Sequence, residues 1–343
     1  MARKSVALCG AGMISGAHGA AARYLNMAVV AVASRTPERA AERASQLQST
    51  AVTYDQKPAG ADIVNVSTPP HMHAADTRAL LETGAAVIVE KPLCTTLADA
   101  DTLVTAARAH HERVLYAENL AYAPSVTTML RLVPKLGPLK HLQIRSLQSL
   151  PTWGDFTSDE WGGGTLFDLG VHPVALAVLC AAASGAGVVT SVSCNLRGGA
   201  GHNSDEHAEL TLTFHNGLVG HVVSSWANGP HQVWDAQLSS DTGVLRLDFW
   251  PQPTLEHNGE RVPLTQSSLS LPLIEQFGYY GQLQAFAADI TDGATPFMEV
   301  AFGRMILDIV CAAYQSARYD GAAEAVPFTG DRTKTPLQLW HGA

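Results

Sequence analysis

Ser5-Val6-Ala7-Leu8-Cys9-Gly10-Ala11-Gly12-Met13-Ile14-Ser15-Gly16-Ala17-His18 is the stretch that decides the fold. Its first five residues read as a short buried strand. Gly10-Ala11-Gly12 then turns the chain, and an Ala-rich helix is expected over Ala17–Leu25. In a strand–turn–helix unit of this kind, the first glycine makes the tight turn. The second lets the backbone approach a dinucleotide pyrophosphate resting on the helix N-terminus. Gly10, Gly12, Met13 and Ile14 are therefore the expected pyrophosphate contacts. The usual third glycine is Ser15 here, with Gly16 one place late.

Further apolar runs alternate with helical segments downstream. Ala28–Ala33 reads as a second buried strand and Glu38–Gln48 as the helix after it. An acid that would bind a ribose 2′-hydroxyl is missing at that strand's end, where Ser34-Arg35-Thr36 and then Arg39 stand instead. A hydroxyl and guanidinium groups suit a 2′-phosphate, which favours NADP over NAD. The competing reading is a solvated helix start with Arg35 facing water. Asp62–Ser67 is a further strand ending in Thr68-Pro69-Pro70-His71-Met72-His73, with a helix expected over Ala74–Thr83. Next comes Ala86-Val87-Ile88-Val89-Glu90-Lys91-Pro92, a buried strand that stops at an acid, a base and a proline. Ligands of open α/β sheets bind outside the carboxyl ends of the strands, so Lys91 is placed in the binding crevice. Leu97–His111 reads as a helix and Val114–Ala117 as a strand ending at Glu118-Asn119, with Tyr122 close behind. This alternation predicts a doubly wound parallel sheet over residues 1–120.

The rhythm changes over residues 121–343, which are expected to form a second domain for substrate binding and self-association. Strand-like stretches at Leu139–Gln148, Val188–Leu196, His207–His215, Leu218–Trp226, Val233–Ser239 and Gly243–Phe249 mostly alternate, and Asn216-Gly217 is a strong hairpin signal. They predict an open, mainly antiparallel sheet with one face packed on helices, including Gly281–Thr291 and Val300–Arg318. Between the first two strands lies Gly162-Gly163-Gly164-Thr165-Leu166-Phe167-Asp168-Leu169-Gly170-Val171-His172-Pro173, ahead of an apolar helix, Val174–Ala183. If the stretch from Thr165 is helical, Asp168 and His172 share a face at i and i+4. A carboxylate and an imidazole so placed suit proton transfer. The alternative is a capping aspartate and an interior histidine. Arg145, Trp153, Asp155, Trp161, Trp226 and Tyr122 are candidate substrate contacts, each equally at home in a core or rim.

Composition narrows the class. The 343 residues carry a formal net charge of −9 and no basic stripe, which argues against nucleic acid and anionic membranes. No apolar run in the sequence is long enough to suggest a bilayer span. Met1-Ala2-Arg3-Lys4 followed by Val6-Ala7-Leu8-Cys9 has the outline of a leader, but the apolar run breaks at Gly10-Ala11-Gly12. The five cysteines are scattered with no CxxC pair, and no histidine pair has acid or thiol partners at ligand spacing. No metal site or disulfide framework is expected, and a reducing cytoplasm fits.

Four pieces in order, Gly10-Ala11-Gly12, Thr68-Pro69-Pro70 with His73, Glu90-Lys91-Pro92, and Gly163-Gly164-Thr165 through His172, resemble the GFO/IDH/MocA family of glucose–fructose oxidoreductase, inositol dehydrogenase and their relatives. The resemblance implies an N-terminal Rossmann domain, a C-terminal α/β domain with an open sheet, and homodimers or homotetramers formed through that sheet. It implies that Ser67, Thr68, Pro69, His73, Glu90 and Asn119 join the glycine turn, Ser34, Arg35, Arg39 and Lys91 around NADP or NAD. It also implies that Lys91 sits by the nicotinamide and the reacting carbon, with Asp168 and His172 facing it from the second domain. Pro70 stands where an asparagine is frequent. The implied activity is hydride transfer between nicotinamide and a secondary alcohol or ketone of a sugar, inositol or related polyol. Redox-assisted glycoside cleavage without net oxidation, and a non-catalytic NAD(P)-responsive regulator, are the alternatives.

Overall fold

The computed structural model describes residues 4–343 apart from 57 and 59. Met1-Ala2-Arg3, which open the leader-like stretch, lie outside the described residues. The chain sorts into two compact units. The first comprises residues up to Cys94, Ala98–Ala123 and Ser267–Arg304, and the second Thr95–Leu97, Pro124–Gln266 and Met305–Ala343. The segment 267–304 thus folds with the first unit, where an unbroken second domain over 121–343 was expected.

The first unit is built on β1 (Ser5–Cys9), α1 (Met13–Tyr24), β2 (Ala28–Ser34), α2 (Pro37–Leu47), β3 (Thr50–Thr53), β4 (Ile63–Val66), α3 (Pro70–Leu81), β5 (Ala86–Glu90), α4 (Leu97–Ala109) and β6 (Val114–Ala117). Six parallel strands lie in the order β3-β2-β1-β4-β5-β6. Parallel strands are covered on both faces, which is why Val64, Ile88, Val89 and Leu115 are all at most 1% exposed. Strand β3 carries no strong apolar signal and is missed by sequence periodicity. Helix α1 starts at Met13, directly after the turn and four residues earlier than expected. Helix α3 starts at Pro70, whose fixed φ and missing N–H are tolerated in a first turn, so the rigid bend reduces to Thr68-Pro69. The returning segment closes the sheet edge, with Tyr116 N donating to Met298 O at 2.8 Å.

The second unit contains α5 (Pro124–Leu132), β7 (His141–Leu147), α6 (Thr165–Asp168), α7 (Val171–Ala183), β8 (Val189–Gly198), β9 (Asp205–Phe214), β10 (Val219–Ser225), β11 (Val233–Ser239), β12 (Val244–Asp248), β13 (Thr254–His257) and β14 (Glu260–Val262). After α8 (Pro272–Gln276) and α9 (Tyr279–Asp292) of the first unit, α10 (Val300–Arg318) runs from one unit into the other. It is followed by β15 (Glu324–Ala325) and α11 (Pro336–His341). The nine strands are ordered β14-β13-β12-β11-β7-β10-β9-β8-β15. The sheet is mixed and mainly antiparallel, β7 and β10 being its parallel pair. Ala208, Leu210, Leu212 and Phe214 of β9 are buried, while His207, Glu209, Thr211 and Thr213 take the other face. Gly217, at φ +90°, makes the β9–β10 hairpin turn.

Two further sequence expectations are revised. Asp168 and His172 do not lie on one continuous helix. The helix ends at Asp168 and restarts at Val171. Pro173 has no amide hydrogen to give Leu169, so the i→i−4 ladder is interrupted there. Second, α10 has the length and apolar composition of a bilayer span, although the sequence suggested none. About two-thirds of it, 67%, is buried in the protein, with Ile306, Ile309, Val310 and Ala313 at 0%, the character of a core helix.

Candidate active site

Strands β1, β4 and β5 are neighbours and parallel, so Gly10, Ser67 and Lys91 leave the sheet at one edge. Gly10 has φ +115°, and a Cβ there would lie 2.4 Å from the Ser67 carbonyl oxygen, so only glycine fits. Gly12, exposed and extended, begins α1 without any side-chain cap. A Cβ at Gly12 would meet nothing within 4 Å. Exposed Met13 and half-buried Ile14 follow, with no acid in the first turn. A helix N-terminus with uncapped amides beside an open glycine is an anion cradle. These residues fit a dinucleotide pyrophosphate.

The displaced third glycine acquires a reason. Ser15 is fully buried and its hydroxyl donates to Gly12 O at 2.6 Å. Gly16 makes room for Arg43 of α2, whose Nη1 would lie 2.7 Å from a Cβ at position 16. Arg43 Nη2 donates to Gly12 O at 3.1 Å, bringing a cation to the glycine turn. Sequence reading missed Arg43, and the late glycine was its only trace. Ser34 Oγ accepts from Thr36 N at 3.1 Å, and Arg35 and Arg39 are exposed.

The loops after β4 and β5 are tied together by His73. It is 1% exposed, with Nε2 2.7 Å from Thr68 O and Nδ1 2.9 Å from Pro92 O. Burial lowers the His73 pKa against the opposing pull of those two carbonyls and of Glu90 and Asp76. Thr68 is held a second time, its hydroxyl donating to Asp76 at 2.8 Å, and Tyr54 donates to the same carboxylate. Ser67 is half-buried, donating from Oγ to Asn65 Oδ1 at 3.0 Å, and Pro69 is half-buried beside it.

Glu90 turns inward. It is 6% exposed and accepts from His18 Nε2 of α1 at 2.7 Å and from Lys91 N at 3.1 Å. Burial alone would raise its pKa, but the His18 hydrogen bond and the charges of His18 and Lys91 outweigh that and lower it. Glu90 thus couples the glycine-turn helix to the backbone of Lys91, and Tyr279 packs edge-on to His18 at 5.3 Å. Asn119 is buried, with Nδ2 donating to Phe277 O at 2.6 Å. Tyr122 Oη accepts from Met298 N at 3.3 Å. Both therefore anchor the returning segment.

In the second unit Asp168 and His172 are 7% and 6% exposed, at the end of α6 and in the first turn of α7. The His172 ring lies 6.0 Å from that of Trp234 on β11, an aromatic neighbour that sequence reading did not single out. Arg145 is occupied elsewhere. Its Nε and Nη2 reach Asp235 at 2.9 and 2.5 Å on the polar face of the sheet. Trp153 is 45% exposed, Trp226 is a core residue at 4%, and Trp161 packs on Phe156 at 4.9 Å. Among the described residues no group of His, Cys, Asp or Glu has metal-binding geometry.

Comparison with known proteins agrees with this geometry. Residues 4–118 match the model of an oxidoreductase family with an NAD-binding Rossmann fold, and residues 134–246 match the GFO/IDH/MocA C-terminal domain. A protein of Amycolatopsis mediterranei named as UDP-kanosamine synthase oxidoreductase subunit is 29% identical over 298 residues, 78% of this chain and 81% of its own. The dTDP-3,4-didehydro-2,6-dideoxy-α-D-glucose 3-reductase of Streptomyces antibioticus is 31% identical over 242 residues, 67% of this chain and 70% of its own. Among solved structures, GenD2 from gentamicin A biosynthesis, in complex with NAD, superposes with a TM-score of 0.83 at 23% identity, covering 95% of this chain and 97% of its own. Levoglucosan dehydrogenase with NADH and L-sorbose gives 0.82 at 20%, covering 96% and 100%. The glycine turn, the Glu90-Lys91-Pro92 strand end and the two matched domains together make this chain a member of the GFO/IDH/MocA family of NAD-binding oxidoreductases.

Proposed function

We propose that the protein transfers hydride between a nicotinamide dinucleotide and a secondary carbinol or ketone carbon of a hexose, and that the hexose is carried on a nucleoside diphosphate. The observation that carries the reading is the shared sheet edge from which the uncapped glycine turn and Lys91 both emerge. The UDP- and dTDP-sugar names of the relatives support the nucleotide-linked substrate.

Gly10, Gly12, Met13 and Ile14 would hold the pyrophosphate, with Ser67, Thr68, Pro69 and Asn119 along the same edge. Ser34, Arg35 and Arg39 favour a 2′-phosphate, so NADP(H) is preferred over NAD(H). Bound there, the nicotinamide supplies the hydride chemistry. His172 takes the hydroxyl proton as the carbinol becomes a ketone and returns it in reduction. Lys91 stabilises the oxygen as negative charge develops on it. Asp168 orients and charge-balances these two groups. We further propose association of copies through the polar face of the nine-stranded sheet. A reducing compartment is also proposed, since all five cysteines are buried and none forms a disulfide.

The test is absorbance at 340 nm with UDP-glucose or dTDP-glucose and NADP+ or NAD+. The reading expects sustained accumulation of reduced nicotinamide, faster with NADP+. Bound nucleotide without accumulation contradicts it, and a transient signal indicates redox-assisted cleavage instead. Arg35→Glu is expected to weaken NADPH binding about tenfold or more and to leave NADH nearly unchanged. Equal effects on both remove the 2′-phosphate assignment.

A further inference from the structure

Asp205, the first residue of β9, is a fully buried carboxylate. Among the described residues its side chain makes no ion pair, and the groups bonded to it are neutral donors. Oδ2 accepts from Leu166 N at 2.8 Å, and Oδ1 accepts from Gly164 N at 3.1 Å and from the Tyr314 hydroxyl of α10. The Tyr314 oxygen also accepts from Gly164 N at 3.0 Å. These are the open amides at the start of α6, which Gly164 begins without a side chain of its own. The cap comes instead from a residue 41 positions along the chain. The fit is close enough to demand glycine, since a Cβ at position 164 would lie 2.2 Å from the Asp205 carbonyl oxygen.

Gly164 connects this latch to the chemistry. Its N–H is held by Asp205 and Tyr314, and its carbonyl accepts from Asp168 N at 2.9 Å. Leu169 N and Gly170 N both donate to Thr165 O, and His172 N donates to Leu169 O at 3.3 Å. The path from the buried carboxylate to both proposed reactive residues is thus one short run of backbone hydrogen bonds. The helix break at Leu169–Gly170 leaves that run without the stiffness of a continuous helix, so the latch must supply it.

We propose that Asp205 and Tyr314 are positioning residues that fix Asp168 and His172 by capping the short helix on which they depend. The inference rests on the reading of His172 as the proton-transfer group. Misplacing such a group by about 1 Å costs on the order of a hundredfold in rate.

The experiment compares Asp205→Asn, Tyr314→Phe and His172→Ala with the unmodified protein, all checked for folding by circular dichroism. UDP-glucose with NADP+ supplies turnover, and quenching of NADPH fluorescence supplies cofactor affinity. Tyr314→Phe keeps the ring volume and the carboxylate, so it tests the latch even if Asp205→Asn fails to fold. In the folded variants kcat is expected to fall about tenfold for Tyr314→Phe and about a hundredfold for Asp205→Asn. KM and the NADPH Kd should stay within threefold. A merely structural role would instead change all three together, or lower only the melting temperature. Turnover lost in His172→Ala but kept within twofold in Tyr314→Phe overturns the inference alone. Turnover kept in His172→Ala overturns the catalytic reading and the inference with it.

Discussion

In each unit a buried carboxylate holds backbone next to a proposed site residue, Glu90 in the first and Asp205 in the second, and the two solve the same electrostatic problem differently. Glu90 has a partner that can carry charge, His18 at 2.7 Å, and its pKa is lowered despite burial. Asp205 has only two amides and a phenol, and burial, the dominant cause, leaves its pKa raised in spite of those hydrogen bonds. The first carboxylate behaves as half of an ion pair, the second as a hydrogen-bond acceptor. Both hold a backbone segment, Lys91 in one case and Gly164 in the other. A buried acid in a site is therefore no sign by itself of a proton-transfer role. What it bonds to decides.

The largest expected effect separates reacting groups from supporting ones. His172→Ala and Lys91→Ala should each lower kcat by about 10²–10⁴-fold with NADPH binding preserved, whereas Glu90→Gln should cost less. Steady-state rates with fluorescence titration check this, and a Glu90→Gln variant as slow as His172→Ala would erase the distinction.

Stability sharpens it next. Asp205→Asn turns an amide NH₂ toward the Leu166 N–H and should cost about 3 kcal/mol. Glu90→Gln keeps an acceptor for His18 and should cost about 1–2 kcal/mol. Urea denaturation at neutral pH measures both, and the reverse order would break the contrast.

The pH dependence should run in opposite directions. Glu90 has a folded pKa below the ordinary 4.5, so its stabilisation is full above that value and is lost as pH falls through the folded pKa. The gap between the unmodified protein and Glu90→Gln should close on acidification. Asp205 has a folded pKa above the ordinary 3.8, so the folded state holds its proton longer and stability declines as pH rises across that window. The Asp205→Asn gap should therefore be widest at low pH. Denaturation midpoints across the acidic range check the signs, and parallel trends would contradict the contrast.

The smallest effect belongs to Arg145. Its pairing with Asp235 on a sheet face, where its own side chain is 39% exposed, predicts about 1 kcal/mol or less for Arg145→Met and kcat/KM within twofold. A large loss of kcat/KM in a stable variant would return Arg145 to the substrate site.

Much of this was legible in local sequence. The boundaries of Val114–Ala117, Val233–Ser239 and Val300–Arg318 are those read from apolar pattern alone, since burial on a sheet or a core helix writes a periodic signal. Gly10 and Asn216-Gly217 were readable because turns require particular residues. What stayed hidden depends on distant partners. His18 is 72 residues from Glu90, and Tyr314 is 109 from Asp205. Nothing in the run 267–304 announces that it returns to cover the edge of β6. The break between α6 and α7 was closer to hand, because Pro173 was visible and its effect on the Leu169 carbonyl follows from its missing amide.

One labelled substrate addresses the central claim. UDP-glucose deuterated at C3, the position named for the Streptomyces antibioticus relative, is incubated with the protein and NADP+, and the nicotinamide is examined by mass spectrometry. The account predicts deuterium in the accumulating NADPH and none when His172→Ala replaces the unmodified protein. Unlabelled nicotinamide across UDP- and dTDP-hexoses deuterated at each secondary carbinol carbon, from a protein shown to bind the cofactor, would contradict it.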